Sequence, residues 1–225
     1  MTGYTPGMSA TRPLPAVRRQ ARERKIIDAA RALFDERGMQ EARIDRIARR
    51  VGINKALIYR HFASKEELFA LTTTTYLDEI AELLHGVDQD GGPPRDRLRR
   101  GFAAFADYGI AHPAFLDCAL SLLRQPAGEL RGEVSEAVWL RLGQATGACV
   151  GQLADVLAEL EVAEPELRAN QLYLQAIGVL HLARSGVGVR RSGPGTAESF
   201  AVGAEQVRGA CVELALAAAG PGAEA

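Results

Sequence analysis

Apolar side chains recur along most of this chain at intervals of three and four residues, with charged residues between them. That is the period of an amphipathic helix, and it predicts helices almost throughout. Ile26, Ala30, Leu33 and Phe34 form the first stripe, in a helix beginning near Ala16. Gly38 follows Arg37 and is placed to end that helix as a left-handed C-cap. A short helix from about Asp45 to Arg50 turns Ile47, Ala48 and Val51 to one side, and Gly52 breaks it. Asn54 is a good N-cap for a second short helix, from Lys55 to about His61. Ser64 and Glu67 then have capping-box spacing ahead of Leu68, Phe69 and Leu71. Residues 24–62 therefore read as three helices joined by very short turns. The last two have the span and glycine-bearing turn of a helix-turn-helix.

The same period continues through helices at about 64–86, 95–111 and 113–124, the last opened by Pro113 at its first position. A long helix over about 129–160 is expected to break near Gly132. Another opens at Pro165 and runs to about Ser185, and a final one covers about 197–219. The stretches DQDGGPP (88–94) and GVGVRRSGPG (186–195) read as loops. The expectation is an all-α fold of about nine helices, with no strand. Residues 1–15, rich in Gly, Pro, Ser and Thr, read as a flexible arm. Residues 16–65 form the helix-turn-helix unit, 66–219 a helical body and 220–225 a tail.

The chain has 225 residues, 47% hydrophobic and 24% charged, which excludes a fully disordered protein. No run of 18 apolar residues occurs, which excludes a membrane-spanning helix. The opening MTGYTPGMSATRPLP lacks the apolar core of a secretory signal, so a cytoplasmic location is expected. Cys118, Cys149 and Cys211 match neither a disulfide framework nor a zinc site, and read as small buried hydrophobes. The net charge of −1 conceals an asymmetry. Residues 1–65 carry 15 lysines and arginines against 6 acids, including all three lysines, Lys25, Lys55 and Lys65; residues 66–225 carry 12 against 22. A basic head on an acidic body suits a head that binds a polyanion, although a solvated basic surface has the same composition.

A helix-turn-helix sets the N-terminal residues of its second helix into the DNA major groove. Here that helix is NKALIYRHF, 54–62. Ile53, Ile58 and Phe62 face the three-helix core by spacing, which leaves Lys55, Ala56, Leu57, Tyr59 and Arg60 outside. Leu57 there has no core to fill and suits a thymine methyl. Ala56 is small enough for close approach, and Lys55 suits a guanine edge or a phosphate. Tyr59, His61 and Lys65 offer a hydroxyl, an imidazole N–H and an ammonium to phosphate oxygens. Packing is the competing role for Tyr59 and His61. Arg43, Arg46, Arg49 and Arg50 add positive charge around the preceding helix, and the last two fit solvated surface better than specific contact.

The runs IIDAARALFDERG and IDRIARRVGINKALIYRHFASKEELF resemble the N-terminal domain of TetR-family (tetracycline-repressor-type) transcriptional regulators, over about residues 24–70. The segment GINKALIYRHFASKEEL carries the specificity, because its glycine turn, Asn cap, Tyr, His-Phe and Ser-Lys-Glu occur together at fixed spacing. The resemblance implies an all-helical homodimer whose first three helices bind DNA and whose variable C-terminal domain binds a small ligand and dimerises. It implies DNA contacts from Lys55, Ala56, Leu57, Tyr59 and His61, and a phosphate contact from Lys65. Two positions depart from the family pattern. Arg43-Ile44 stands where a capping threonine is usual, leaving Asp45 to take over the cap or the helix to fray, and Ala56 stands where glycine is common.

The body is less legible. Phe200, Ala204, Val207, Cys211, Leu214 and Ala218 follow a 4-3-4-3-4 spacing, and Leu172, Ala176, Val179 and Ala183 make a similar stripe in the helix before. Two such helices from each of two chains would form a four-helix dimer interface, with packing inside one chain as the other reading. Phe105, Tyr108, Cys118, Trp139, Thr146, Tyr173, Ile177 and His181 are candidate ligand contacts, each with core packing as its competing role. No arginine or lysine stands within an apolar helical face, so a largely apolar or aromatic effector is expected over an anionic one. The expected function is a repressor that binds a palindromic double-stranded DNA operator as a homodimer and is released by a small effector. A switch from 1:99 to 99:1 asks for about 5.5 kcal/mol of differential effector affinity. The alternatives are an activator, or a DNA-binding regulator without a ligand whose body serves only dimerisation or protein contacts. No HExxH, CxxC, GxSxG or Walker loop occurs, so no enzyme, cofactor or metal is expected.

Overall fold

The computed structural model describes residues 15–124 and 126–220; the expected arm and tail lie outside them, apart from Pro15 and Gly220. Three helices make the head: α1 (Pro15–Arg37), α2 (Ile44–Val51) and α3 (Lys55–Tyr59), with a 3-10 turn at Met39–Glu41. The body holds α4 (Lys65–Gln89), α5 (Pro94–Ala111), α6 (Pro113–Arg124), α7 (Ala127–Glu133), α8 (Glu136–Glu159), α9 (Pro165–Ser185) and α10 (Ala204–Ala218). Between α9 and α10 lies an antiparallel hairpin of β1 (Val187–Gly193) and β2 (Thr196–Ala201). The fold is all-α apart from that hairpin.

The head forms as its local chemistry directs. Ile26, Ala30, Leu33 and Phe34 of α1 are buried with Ile47, Ala48, Ile58 and Phe62, a single apolar nucleus for three short helices. Gly52 ends α2 in the left-handed conformation at φ +75°, which a side chain would strain. Asn54 Oδ1 accepts the Leu57 N–H at 2.8 Å and starts α3. Ser64 Oγ accepts the Glu67 N–H at 2.9 Å, while the Glu67 carboxylate accepts from the N–H of Ala63, one residue ahead of the expected partner. Asp45 does not cap α2. The N-cap is Arg43, which makes no side-chain cap bond, and burial of Ile44, Ile47 and Ala48 holds the helix instead. Gly38 has a positive φ of 79° but an extended ψ of 156°, so it redirects the chain rather than closing α1 in the left-handed form.

In the body, the long helix predicted over 129–160 breaks between α7 and α8 at Val134–Ser135, close to the expected point. The hairpin replaces what periodicity read as a loop and the first turn of the last helix. Phe200 sits on β2 opposite Gly188, and a Cβ on that glycine would lie 2.5 Å from the Phe200 ring. The missing side chain makes room for the ring across the strands. Arg190 pairs with Glu198 at 2.8 Å on the same face.

The 4-3-4 stripes close on their own chain. Helix α10 packs against α5 and α9, and Leu172, Ala176, Val207 and Cys211 are fully buried there. Val179, Ala183 and Leu214 are half-buried, Ala204 is exposed, and Phe200 is not helical. Leu172, Ala176, Val207 and Cys211 are thus covered within the chain, while Ala204, Val179, Ala183 and Leu214 keep accessible surface. Arg95 of α5 donates to the Gly220 carbonyl at 2.7 Å and completes the C-terminus of α10.

Candidate nucleic-acid interface and effector cavity

The outer face of α3 follows the sequence reading closely. Lys55, Ala56, Tyr59 and Arg60 are exposed, Leu57 is half-buried, and Ile58 and Phe62 are inside. Lys55 Nζ lies 5.7 Å from the Tyr59 ring centre, and Lys65 Nζ lies 4.8 Å from that of Phe69. These contacts hold the two ammonium groups against aromatic faces with their charge still outward. Arg43 pairs with Asp45 at 3.2 Å and Arg46 with Glu41 at 2.9 Å, both exposed ion pairs that phosphate can replace at little cost. Arg49 pairs with Asp45, and Arg50 binds both oxygens of Glu36 on α1. That bond from Arg50 holds the Glu36 carboxyl below its usual range. His61 departs from the expectation. Its Nδ1 lies 3.2 Å from Glu23 on α1, and its side chain is only 10% exposed. Burial opposes ionisation of Glu23, but hydrogen bonds from Arg19 and His61 outweigh it and keep this carboxyl below its usual range. His61 thus ties the end of the helix-turn-helix to α1.

Helix α4 joins the two ends of the molecule. It starts at Lys65 beside the head and runs 25 residues, about 37 Å, to the floor of the body. Arg31 and Asp35 of α1 clamp its middle. Arg31 donates to both oxygens of Glu79, one at 2.6 Å, and stacks over the Tyr76 ring at 4.3 Å; Tyr76 donates to Asp35 at 2.7 Å. Tyr108 of α5 donates to the same Glu79 at 2.7 Å. The Arg31 bond holds Glu79 ionised below its usual range, while burial and then Glu79 itself push the Tyr108 phenol up. At its start α4 is tied to the α7–α8 junction, where Ser64 Oγ donates to the Glu133 carbonyl at 2.8 Å and Ser135 donates to Glu67.

A small cavity of about 70 Å³ opens between α4, α5, α8 and α9. Ile80, Leu84, Phe102, Phe105, Val156 and Tyr173 supply most of its wall. A second, wider groove of about 680 Å³ lies between α6, α8 and α9, with Trp139, Thr146 and Tyr173 along it. Phe105 and Tyr173 therefore reach the cavity, and Tyr173 stands between the two spaces. Tyr108, Cys118, Ile177 and His181 line neither. Tyr108 belongs to the clamp, Cys118 and Ile177 are core, and His181 is exposed on the outer side of α9. The expectation that no cation enters an apolar face is corrected by Arg97. It lines the cavity, only 14% exposed, between Asp88 and Glu159. The signal was present, because Arg97, Gly101 and Phe105 stand at i, i+4 and i+8 on one face of α5. Gln152 of α8 is a further lining residue missed in the sequence.

All three cysteines are buried and free. Burial pushes Cys118 and Cys149 up to about 12 and Cys211 up to about 11. Because only the thiolate reacts, the folded protein at pH 8 is expected to resist a thiol-specific disulfide reagent, and to titrate three thiols once unfolded in denaturant. Rapid native labelling of any of the three would place that cysteine at an opening of the structure.

Among the described residues no helix is long and apolar enough to cross a membrane. A basic three-helix head with an exposed α3, carried on a helical body, has the arrangement of a helix-turn-helix unit. Residues 26–72 match the family described as "Bacterial regulatory proteins, tetR family". Over that N-terminal segment the chain is similar to regulators of this family. It is 32% identical over 90 residues to the HTH-type transcriptional activator FasR of Mycolicibacterium smegmatis, covering 40% of this chain and 41% of that protein. It is 36% identical over 97 residues to the HTH-type transcriptional repressor SCO4008 of Streptomyces coelicolor, covering 43% and 47%. The chain thus matches less than half the length of these two relatives. The fold is similar to that of RolR in complex with its ligand resorcinol, with a TM-score of 0.62, 14% identity, and coverage of 92% of this chain and 97% of that one.

Proposed function

We propose that this protein is a cytoplasmic, effector-responsive repressor that binds a palindromic operator as a homodimer. The observation that carries the reading is α4, one helix that begins beside the exposed recognition helix and ends in the wall of the body cavity. A small, largely apolar or aromatic effector between α4, α5, α8 and α9 would displace the far end of that helix. The clamp from Arg31 and Asp35 would pass the displacement to α1, and the spacing of two heads on DNA would change. Lys55, Ala56 and Leu57 are assigned to the major groove, and Arg43, Arg46, Tyr59, Arg60 and Lys65 to phosphates. His61 is assigned to positioning the head through Glu23. The test is binding of the purified chain to its own upstream intergenic DNA across a salt series. Saturable binding that exceeds binding to random DNA and weakens with salt supports the reading. Equal binding to both DNAs overturns it.

The dimer surface is assigned to the outer face of α9. Leu167, Leu174 and Leu182 are exposed there, opposite the buried Ala169, Leu172, Ala176 and Leu180, and Gly178 between them allows a close helix approach. Leu174→Glu places two charges in a symmetric interface and removes two buried leucines, each contributing about 1.5–3 kcal/mol. The expected result is a monomer at micromolar concentration by light scattering, with unchanged helicity. A dimer that survives Leu174→Glu would move the interface to another face.

A further inference from the structure

The hairpin between α9 and α10 leaves one of its two faces bare. Residues opposite each other on antiparallel strands point the same way, so Gly188, Arg190, Glu198 and Phe200 share a face. That face is satisfied within the hairpin. Phe200 covers Gly188, and Arg190 pairs with Glu198 and lies 5.8 Å from the Phe200 ring centre. The other face carries Val187, Val189, Arg191, Ala197, Ser199 and Ala201. All six are exposed, Val189 to 74%, and Arg191 makes no ion pair among the described residues. A two-stranded hairpin is marginally stable by itself. This one meets the body chiefly at its base, where β1 touches α9 and Val202 donates to the Gly186 carbonyl at 3.0 Å. A flat valine face with free strand edges beside it calls for a cover.

We propose that this face closes on a second copy of the chain, as an arm laid over the partner's turn between α8 and α9. The inference rests on the α9 dimer face proposed above and adds how the two ends of that face meet. The arm leaves the C-terminal end of α9. At the other end stand Glu161, Glu164 and Glu166, all exposed and without an ion pair among the described residues. Glu161 and Glu164 are also the only described residues other than glycine with a positive φ, 57° and 50°. A left-handed glutamate is strained, and two in one exposed turn mark a backbone set for a contact. The 21 residues of α9 put about 31 Å between this turn and the hairpin, so the arm stands apart from the turn of its own chain. In a two-fold interface between antiparallel helices, each end of the face meets the opposite end of its copy. With Leu174 near the centre, that arrangement brings Arg191 of each arm to the acidic turn of the other subunit, with Leu167 and Leu182 between. Parallel helices would set glutamates against glutamates, a like-charge arrangement that disfavours the pairing. Arg168 adds one cation beside the three carboxylates and leaves that end acidic.

The test uses the full chain, with the dimer dissociation constant read from a dilution series in sedimentation velocity. Arg191→Glu is expected to raise that constant at least about tenfold, because a symmetric interface holds the contact twice. Adding Glu161→Arg and Glu164→Arg to that variant is expected to restore it, which a mere disturbance of the hairpin would not allow. Cross-linking then places the contact. The three native cysteines are buried, so Val189→Cys combined with Glu164→Cys presents two accessible thiols per chain. A short bis-maleimide is expected to join two chains of the double variant and of neither single variant. An unchanged dimer constant in Arg191→Glu overturns the inference and leaves the α9 interface standing. So does a dimeric double variant that fails to cross-link, or cross-linking of either single variant. Loss of operator affinity by Arg191→Glu at an unchanged dimer constant would give the arm to DNA and likewise overturns it. A wild-type chain that stays monomeric at micromolar concentration overturns the α9 interface itself and the arm's role with it.

Discussion

The double variant Tyr59→Ala, Lys65→Ala is expected to lose about ten-thousand-fold in operator affinity while folding normally. Both side chains project from the head, Tyr59 at the exposed end of α3 and Lys65 at the first position of α4. Each is assigned a hydrogen bond to a phosphate, and a bond to a charged group contributes about 1.5–3 kcal/mol. Two such bonds per head and two heads per operator sum to about 6 kcal/mol at the low end of that range, which is about four decades in affinity. The salt dependence discriminates further. Removing Lys65 from both heads takes away two counterion-releasing contacts, so the slope of log K against log salt should fall by about 1.8. Neither residue fills the core, and the melting temperature should move little. An unchanged affinity with an intact fold would remove both residues from the interface and require the head to dock by another face.

Phe115→Ala is expected to produce the largest loss of stability. Phe115 of α6 is fully buried, and the rings of Tyr76, Phe105 and Tyr108 surround it at 6.2, 6.1 and 6.1 Å between centres. Those neighbours belong to α4 and α5, the two helices that carry the clamp and the cavity. Truncation of a buried phenylalanine costs about 3–5 kcal/mol in transfer and cavity terms together. In a domain of this size that corresponds to a fall of about 6–20 °C in melting temperature. Phe115→Leu fills most of the space and should cost about 1.5 kcal/mol or less. A small loss for the alanine variant would mean that α6 collapses onto α5 and closes the space. Calorimetric melting of the two variants decides between these outcomes.

The head was readable in the sequence because each of its features is local. Asn54 is three residues from the N–H it caps, and Gly52 is the residue that must turn. The basic charge is counted directly, and Ile58 and Phe62 fall inside by spacing alone. The contact of His61 with Glu23 was not legible, because the two lie 38 residues apart and spacing carries no sign of it. The hairpin was missed for a related reason. Glycine at 188 reads as a loop until Phe200 is seen to lie across from it, and that pairing exists only between strands.

The body shows the same division. Helical period identified Leu172, Ala176, Val207 and Cys211 as an apolar seam, and the seam exists. Period reports that a face is apolar and not which neighbour covers it, and only the packing shows Leu172, Ala176, Val207 and Cys211 buried within the chain. The cavity followed the same logic, with Phe105 and Tyr173 found by residue type and Arg97 and Gln152 overlooked. A residue's polarity is written in the sequence, but whether its last hydrogen-bonding atom meets water, a carbonyl or an empty space depends on the packing of α4, α5, α8 and α9. By sequence alone this chain reads as helical with a helix-turn-helix head, because that head is encoded in contiguous residues. The hairpin, the free face of α9 and the polar lining of the cavity arise from contacts between distant segments, and they appear only once the helices are packed.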